Sequence, residues 1–592
     1  MATLQQEVPY TPYQYRQLQH EDEIRVLILY QGTWSDEIIC RLEHVRLSHH
    51  PIYEALSYVW ESNLKPRRVK CEGKFIDITE SLFSALRRLR HEDKQKVIWV
   101  DAICINQNNE TDKNHQVALM GRIYAHSHKT LAWIKEESDE AMERVSNYIS
   151  RLDKYVSSQA RGDQSFDLHT GPISITNHVL REISSNWALE FFEVLGPLFE
   201  RPWFSRLWVL QEVVLSRHME MVFGTWKVPL DSFMRPAAII SHMGSLGYFN
   251  DWPMPFNFSN LDAFVNMGFM KVVSQDGTKY SGIFTFFDRA TYLIASDPRD
   301  KIYGLLGLWN TPGFTADYTL STSEVFQSFA LWCFRWRGKL DVLSRAGLSE
   351  SESNLASWAP NLDRTTTYLR FCDHPQFNSS GEIPVSSGER SSFSTLWSLS
   401  NENTLCLDGK IIDTTEKVSQ LSDKREKSAD RRTVLELAKL ANCDTSTLED
   451  GNFQRFCLAM ICELGMGIDK MPPEESKILG LCQYFHALLT NSNPKGDAES
   501  IDHIYEKVWL VRTSYLLQCR FCITRDGRFA WVPKITEIGD RICIIRGANV
   551  PFVLRPKENG KFALVGECWV QGLMKGEALN LPGCQWGGIH IV

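Results

Sequence analysis

The 592-residue sequence has no apolar run near the ~18 residues a membrane-spanning helix requires, so no membrane association is expected. Its first residues, MATLQQEVPYTPYQYRQLQHEDE, lack the basic segment and apolar stretch of a secretory leader, which makes a cytoplasmic location the expectation. Positive charge is in deficit: 64 Lys and Arg stand against 72 Asp and Glu, a net charge of −8. Such a chain is a poor match for a phosphate backbone, and no basic patch interleaved with aromatics argues otherwise, so no nucleic-acid partner is expected. No GxxxxGK[ST] run offers the phosphate cradle of a triphosphatase, and no HExxH offers a zinc-protease site. The 15 cysteines are scattered, and the CxxC of Cys519 and Cys522 has no second ligand pair nearby. No metal and no cofactor are therefore expected, and both cysteines fit a strand. Internal repeats are absent too, which excludes a solenoid.

What is present is a globular composition, 43% hydrophobic and 23% charged, rich in aromatics with 31 Phe, 18 Tyr and 18 Trp. Residues 24–30 and 38–47 read as strands, as do 53–60, 74–79, 97–105 and 129–134. Thr79 is placed to cap a helix over 80–91, in which Leu82, Phe83, Leu86 and Leu89 share a face. A second amphipathic helix is predicted over 115–127, after the polar loop NQNNETDKN, and a third over 203–217, followed by the strand MEMVFG. Strands alternating with helices predict a parallel sheet with helices packed on it.

Residues 136–200 break that rhythm and read as an insertion. The stretch 260–345 reads as mostly helical and includes a helix begun by Asp297 and Pro298. Residues 350–403 read as Ser-rich loops, 422–432 as a solvated charge run, the stretch to about 520 as helical, and 519–592 as short strands with Gly turns. The expected division is an α/β domain over 1–240, a mainly helical middle region over 241–420, and a helical then β-rich region over 421–592.

Within that order, YEALSYVW (53–60), VIWVDAICINQ (97–107) and QVALMGRIYAHS (116–127) resemble the fungal heterokaryon-incompatibility (HET) domain. The resemblance continues through RPWFSRLWVLQEVVLS (201–216), SDPRDKIYGLLGL (296–308), ADY (316–318), SWAP (357–360) and the C-terminal tail. One position departs from the pattern: Glu61 stands where the family has Gly. The resemblance implies a cytosolic fungal protein of non-self recognition and programmed cell death, a form of innate immunity. The HET domain in turn is similar to TIR domains, which implies a flavodoxin-like parallel sheet with flanking helices. In TIR domains that hydrolyse NAD, the catalytic glutamate lies four residues after a tryptophan; here Trp208 and Glu212 have that spacing.

Residues four apart share a helix face, so Trp208 and Glu212 stand together. An anionic Glu212 would stabilise the oxocarbenium-like state of nicotinamide–ribose cleavage, with Trp208 stacking on the ligand. Asp101, Asn106 and Gln107 follow a strand at its carboxyl end, where open α/β sheets bind ligands, and Ser57, Tyr58 and Trp60 end another. On this reading NAD is a substrate and not a cofactor. A plainer reading stands beside each residue. Glu212 pairs with Arg206 or Arg217; Trp208, Tyr58 and Trp60 are core aromatics; Asp101 fixes its loop, and Asn106 and Gln107 build the turn. Cys104 with His115 suggests a cysteine hydrolase but has no orienting third residue. Asp297, Arg299 and Asp300 read as helix-start ion pairing. Two functions follow: an NAD-cleaving module, or a non-catalytic one acting by self-association or through a receptor or other partner protein.

Overall fold

The computed structural model describes residues 11–60, 64–135, 137–159, 183, 187–245, 249, 258–276, 283–290, 292–309, 311–337, 339–348, 355–362, 370–374, 377–381, 397–400, 402–420, 431–444, 448, 450–464, 475–492, 508, 511, 516, 519–581 and 585–592. Glu61, the middle of the 136–200 insertion and most of the 422–432 charge run lie outside them. The chain forms two compact units, Met1–Leu320 and Ser321–Val592.

The first unit is built on a nine-stranded sheet. Its strands are β1 (Glu23–Leu29), β2 (Ile39–Arg46), β3 (Glu54–Ser57), β4 (Arg67–Cys71), β5 (Lys74–Ile78), β6 (Lys96–Trp99), β7 (Lys129–Lys135), β8 (Met219–Phe223) and β9 (Trp226–Pro229). They lie in the order β5-β4-β2-β1-β6-β3-β7-β8-β9. The four central strands are parallel: β3 pairs with β6 on one side and β7 on the other, and β7 pairs with β8. In chain order these four sit second-first-third-fourth, the flavodoxin-like doubly wound arrangement. The crossovers change direction between β3 and β7, which makes the carboxyl end of β3 the switch point at which doubly wound sheets place their ligands. Antiparallel strands flank the parallel core: β1 pairs with β6 and β2, and β9 folds back on β8.

Sequence and structure part company at three places that matter to the site. The apolar run 97–105 is strand only to Trp99; a helical turn, α2, occupies Asp101–Cys104 after α1 (Glu80–Leu89). The Asp101 carboxylate accepts the Ala102 N–H at 2.7 Å, and the Cys104 N–H reaches the Val100 carbonyl at 2.8 Å, so the chain coils as soon as it leaves the sheet. The next helix, α3, starts at Glu110 and runs to His126, five residues ahead of its apolar stretch. The Asn109 side chain caps it by accepting the Asp112 N–H at 3.0 Å.

Third, the helix expected over 203–217 is broken. Pro202–Ser205 is a 3-10 turn, Arg206 is extended, and, after the helix Asp139–Gln159 (α4), α5 spans only Val209–Leu215. The break is paired: the Leu207 N–H donates to the Ile294 carbonyl at 2.9 Å and the Ile294 N–H to Ser205 at 2.5 Å. Hydrogen bonds that a continuous helix would make internally are made here to a distant segment. Further helices follow, among them α6 (Leu230–Ser245), α7 (Phe258–Asp276) and the single turn α8 (Asp300–Tyr303), which is shorter than the helix expected at 296–308.

Two glycines set the packing of α3. Gly121 lies against Gly307 so closely that a Cβ on Gly121 would stand 2.8 Å from the Gly307 Cα. No side chain fits at that backbone contact.

The second unit carries α9 (Thr322–Trp332), whose Ser321 and Glu324 form a reciprocal capping box, and the helices α10 (Arg431–Leu440), α11 (Gly451–Ala459) and α12 (Glu475–Thr490). Its strands are β10 (Trp397–Leu399), β11 (Leu405–Val418), β12 (Cys519–Thr524), β13 (Phe529–Pro533), β14 (Arg541–Ile545), β15 (Phe552–Pro556), β16 (Phe562–Glu567), β17 (Trp569–Val570) and β18 (Gly587–Ile591). Strand β11 pairs with β12, β14 and β18, so the pairings close on themselves as a barrel. Cys519 and Cys522 lie on β12, as the sequence indicates.

Candidate functional site

Four segments meet at the carboxyl end of the parallel strands. The end of β3 brings Ser57, Tyr58 and Trp60; α2 brings Asp101; α3 brings Tyr124; the break before α5 brings Trp203 and Arg206, and α5 itself brings Glu212. Ser57 is fixed from behind, since the buried Trp203 indole donates to its hydroxyl at 2.7 Å. Trp60 donates its indole N–H to Asp101 Oδ2 at 3.1 Å, so one carboxylate holds both its own helical turn and the segment after β3. The Arg206 guanidinium donates to the Tyr58 carbonyl.

Glu212 occupies the first turn of α5 and is 5% exposed. Burial pushes its carboxyl up to about 7, with the Asp101 charge adding to the rise. The Arg206 cation and the Ser57 and Tyr124 hydroxyls pull the other way. Oε2 of Glu212 is buried and makes no hydrogen bond among the described residues; the same holds for the buried Tyr58 hydroxyl. Tyr58 lies near Asp101 without a hydrogen bond of good geometry, and burial raises its pKa. Burial raises Asp101 as well, with Arg206 opposing, although the residue as a whole is only half-buried. Two polar groups left unsatisfied in one buried cluster are costly, and such groups mark places where water or a ligand belongs.

Other residues singled out in the sequence are placed elsewhere. Gln107 reaches back to the Asp101 carbonyl at 3.0 Å and braces the turn. Asn106 accepts the Asn108 N–H on its side chain and lines a separate cleft of about 660 Å³, together with Tyr15, Arg25, Asp112 and His115. Within that cleft Arg25 is a structural hub. It grips Asp112 with two bonds of 2.9 and 3.0 Å and also donates to the Cys104 and Arg16 carbonyls. Trp208 turns its indole N–H to Asp300 Oδ2 at 3.0 Å, and Asp300 Oδ1 accepts the Tyr318 hydroxyl at 2.6 Å. Gln211 donates to the Gly304 carbonyl at 2.8 Å. Arg217 is exposed. Cys104 is buried with its thiol pushed up to about 12, the opposite of a nucleophile, while His115 engages the Glu21 carbonyl.

Residues Tyr124, Trp203 and Asp300 carry no signal in the sequence for these roles. Tyr124 lies on the apolar face of α3, Trp203 in an aromatic run, and Asp300 in a helix start far along the chain. Only the sheet topology brings them to Ser57, Glu212 and Trp208.

These features define an α/β unit of flavodoxin-like order with a buried carboxylate cluster at its carboxyl edge, followed by a unit that contains a β-barrel. Residues 53–212 match the family model described as "Heterokaryon incompatibility protein (HET)", and residues 499–581 match that of the "Het-6 beta-barrel domain". The chain is 25% identical to "Heterokaryon incompatibility protein 6, OR allele" of Neurospora crassa, over 94% of each protein. No solved structure matches it. Through both matches, and along nearly its whole length, the chain is similar to fungal heterokaryon-incompatibility proteins. That similarity supports a role in fungal non-self recognition.

Proposed function

We propose that this protein triggers incompatibility-type cell death in the cytoplasm by cleaving the nicotinamide–ribose bond of NAD at a TIR-like site. The observation that carries the reading is Glu212: a buried carboxylate beside Asp101 at the carboxyl edge of the parallel strands, with one oxygen unpartnered. In the reaction the C1′–N bond breaks with its electron pair leaving on nicotinamide. Water adds to C1′ and releases a proton, giving ADP-ribose. The ionised Glu212 faces the positive charge that develops on the ribose. A pKa of about 7 keeps a large share of that carboxyl ionised at neutral pH and allows it to take the proton of the attacking water. The test is NAD consumption by the full chain at high protein concentration. Glu212→Gln is expected to abolish it; turnover unchanged in that variant would end the assignment.

A second reading has its own support. Glu212 is 5% exposed, and the Ser57 and Tyr124 hydroxyls and the Arg206 charge all favour its ionised form from within the fold. On that reading the unit signals by self-association or through a partner protein, and Glu212 serves the fold. A death phenotype retained by a folded Glu212→Gln protein, without NAD loss, decides for it.

A further inference from the structure

We infer that Arg206 is an anion-recognition residue, and that the carboxyl end of β3 takes a ligand bearing a phosphate. The ribose part of such a ligand rests on the NAD reading above; the phosphate part rests on Arg206 alone.

Two arginines of this unit show what separates a structural guanidinium from one held in reserve. Arg25 is 2% exposed and uses four donor bonds, two of them to Asp112, so its charge and its geometry are consumed by the fold. Arg206 acts on two carboxylates from beyond ion-pair distance, its charge lowering the pKa of both Asp101 and Glu212. Yet among the described residues its guanidinium makes a single hydrogen bond, to the Tyr58 carbonyl, and no ion pair. An arginine installed to neutralise Asp101 or Glu212 would close on it bidentately, as Arg25 does on Asp112. Arg206 keeps partial solvent access, and the rest of its planar fork remains available.

The backbone makes this a prepared position. Arg206 is the extended residue that breaks the helix, bridged in parallel to Ile294, with its neighbours Ser205 and Leu207 both bonded to that residue. The cation is therefore delivered from a fixed point to the carboxyl end of β3, beside the crossover reversal where doubly wound sheets bind ligands. A phosphate there would gain a charge-assisted contact from Arg206, next to the unpartnered Tyr58 hydroxyl.

The test is calorimetric binding to the full chain, with ADP-ribose and adenosine as probes, for wild type, Arg206→Gln, Arg206→Lys and the exposed control Arg217→Gln. Wild type is expected to prefer ADP-ribose over adenosine by about tenfold or more. Arg206→Gln should erase the preference while leaving adenosine binding in place, Arg206→Lys should restore part of it, and Arg217→Gln should keep it. A preference that survives Arg206→Gln, an equal loss for both probes in Arg206→Lys, or no preference in wild type overturns the inference. Phosphate preference without NAD turnover would reject the cleavage reading and leave this one standing; turnover insensitive to Arg206→Lys and Arg206→Gln would do the reverse.

Discussion

The Trp208 indole is held by Asp300: its N–H meets Oδ2 at 3.0 Å, and Oδ1 of the same carboxylate takes the Tyr318 hydroxyl at 2.6 Å. A residue inside the HET match is thus positioned by two that lie beyond it, which places the working boundary of this unit near Leu320 and not at Glu212. Asp300→Ala would strand two donors and is expected to cost about 2–3 kcal/mol, whereas Trp208→Phe, which leaves the Tyr318 bond intact, should cost about 1 kcal/mol from the lost hydrogen bond. Calorimetric melting of both single variants and the double should show coupling of about 1 kcal/mol.

Glu212 gives the fold a pH dependence of defined direction. Its carboxyl titrates at about 7 in the folded chain, against 4.5 for an ordinary glutamate. The folded state therefore binds more protons between those values, and stability falls as pH rises through the window. The contribution is full below pH 4.5 and is lost above pH 7, a loss of about 3 kcal/mol. Asp262, raised by burial to about 6, acts in the same direction. Glu212→Gln should remove its own part: relative to wild type, its melting temperature should climb between pH 5 and pH 8. A constant difference would show that the carboxyl does not titrate there.

Arg25 is the mechanical counterpart of Arg206. Arg25→Met leaves Asp112 buried without its cation and frees the Cys104 and Arg16 carbonyls. The expected cost is about 3–5 kcal/mol. Denaturant unfolding should register it as a lower midpoint, and Asp112→Asn in the same background should recover part of the loss.

At the α3 contact, Gly121→Ala puts a methyl 2.8 Å from the Gly307 Cα, with backbone on the far side and no flexible side chain to yield. A loss of about 1–3 kcal/mol is expected, read as a fall in melting temperature. Gly73→Ala is a useful contrast: nothing lies within 4 Å of its Cβ, but its φ of 79° makes the cost conformational.

The parallel core was legible because its strands are short, apolar and separated by helices of clear period. Ala55 and Leu56 on β3, Ile98 and Trp99 on β6, and Leu131 and Ala132 on β7 are all buried, as continuous apolar runs predict. Strand β4 was invisible because Arg67, Arg68 and Lys70 hide its two buried residues, Val69 and Cys71. The helix break at Arg206 was hidden for a different reason: nothing local disfavours helix there, and the pairing partner, Ile294, is remote in sequence. The same holds for the site. Ser57, Asp101 and Glu212 could be nominated from position and spacing, whereas Tyr124, Trp203 and Asp300 depend on packing that no window of sequence contains.

The barrel has an unusual relation to the chain that makes it. Thr415 on β11 lies opposite Thr524 on β12, so two adjacent staves are separated by everything from 419 to 518. The Het-6 barrel match begins at 499 and ends at 581, and so omits both β11 and the closing strand β18. An expressed 499–581 fragment would be a barrel with two staves missing and open edges, prone to self-pairing. A cut among the described residues of 419–518, by contrast, falls between complete strands. The polypeptide that supplies β11 and the one that supplies β12 to β18 would be complementary halves, able to report on each other by reassembly.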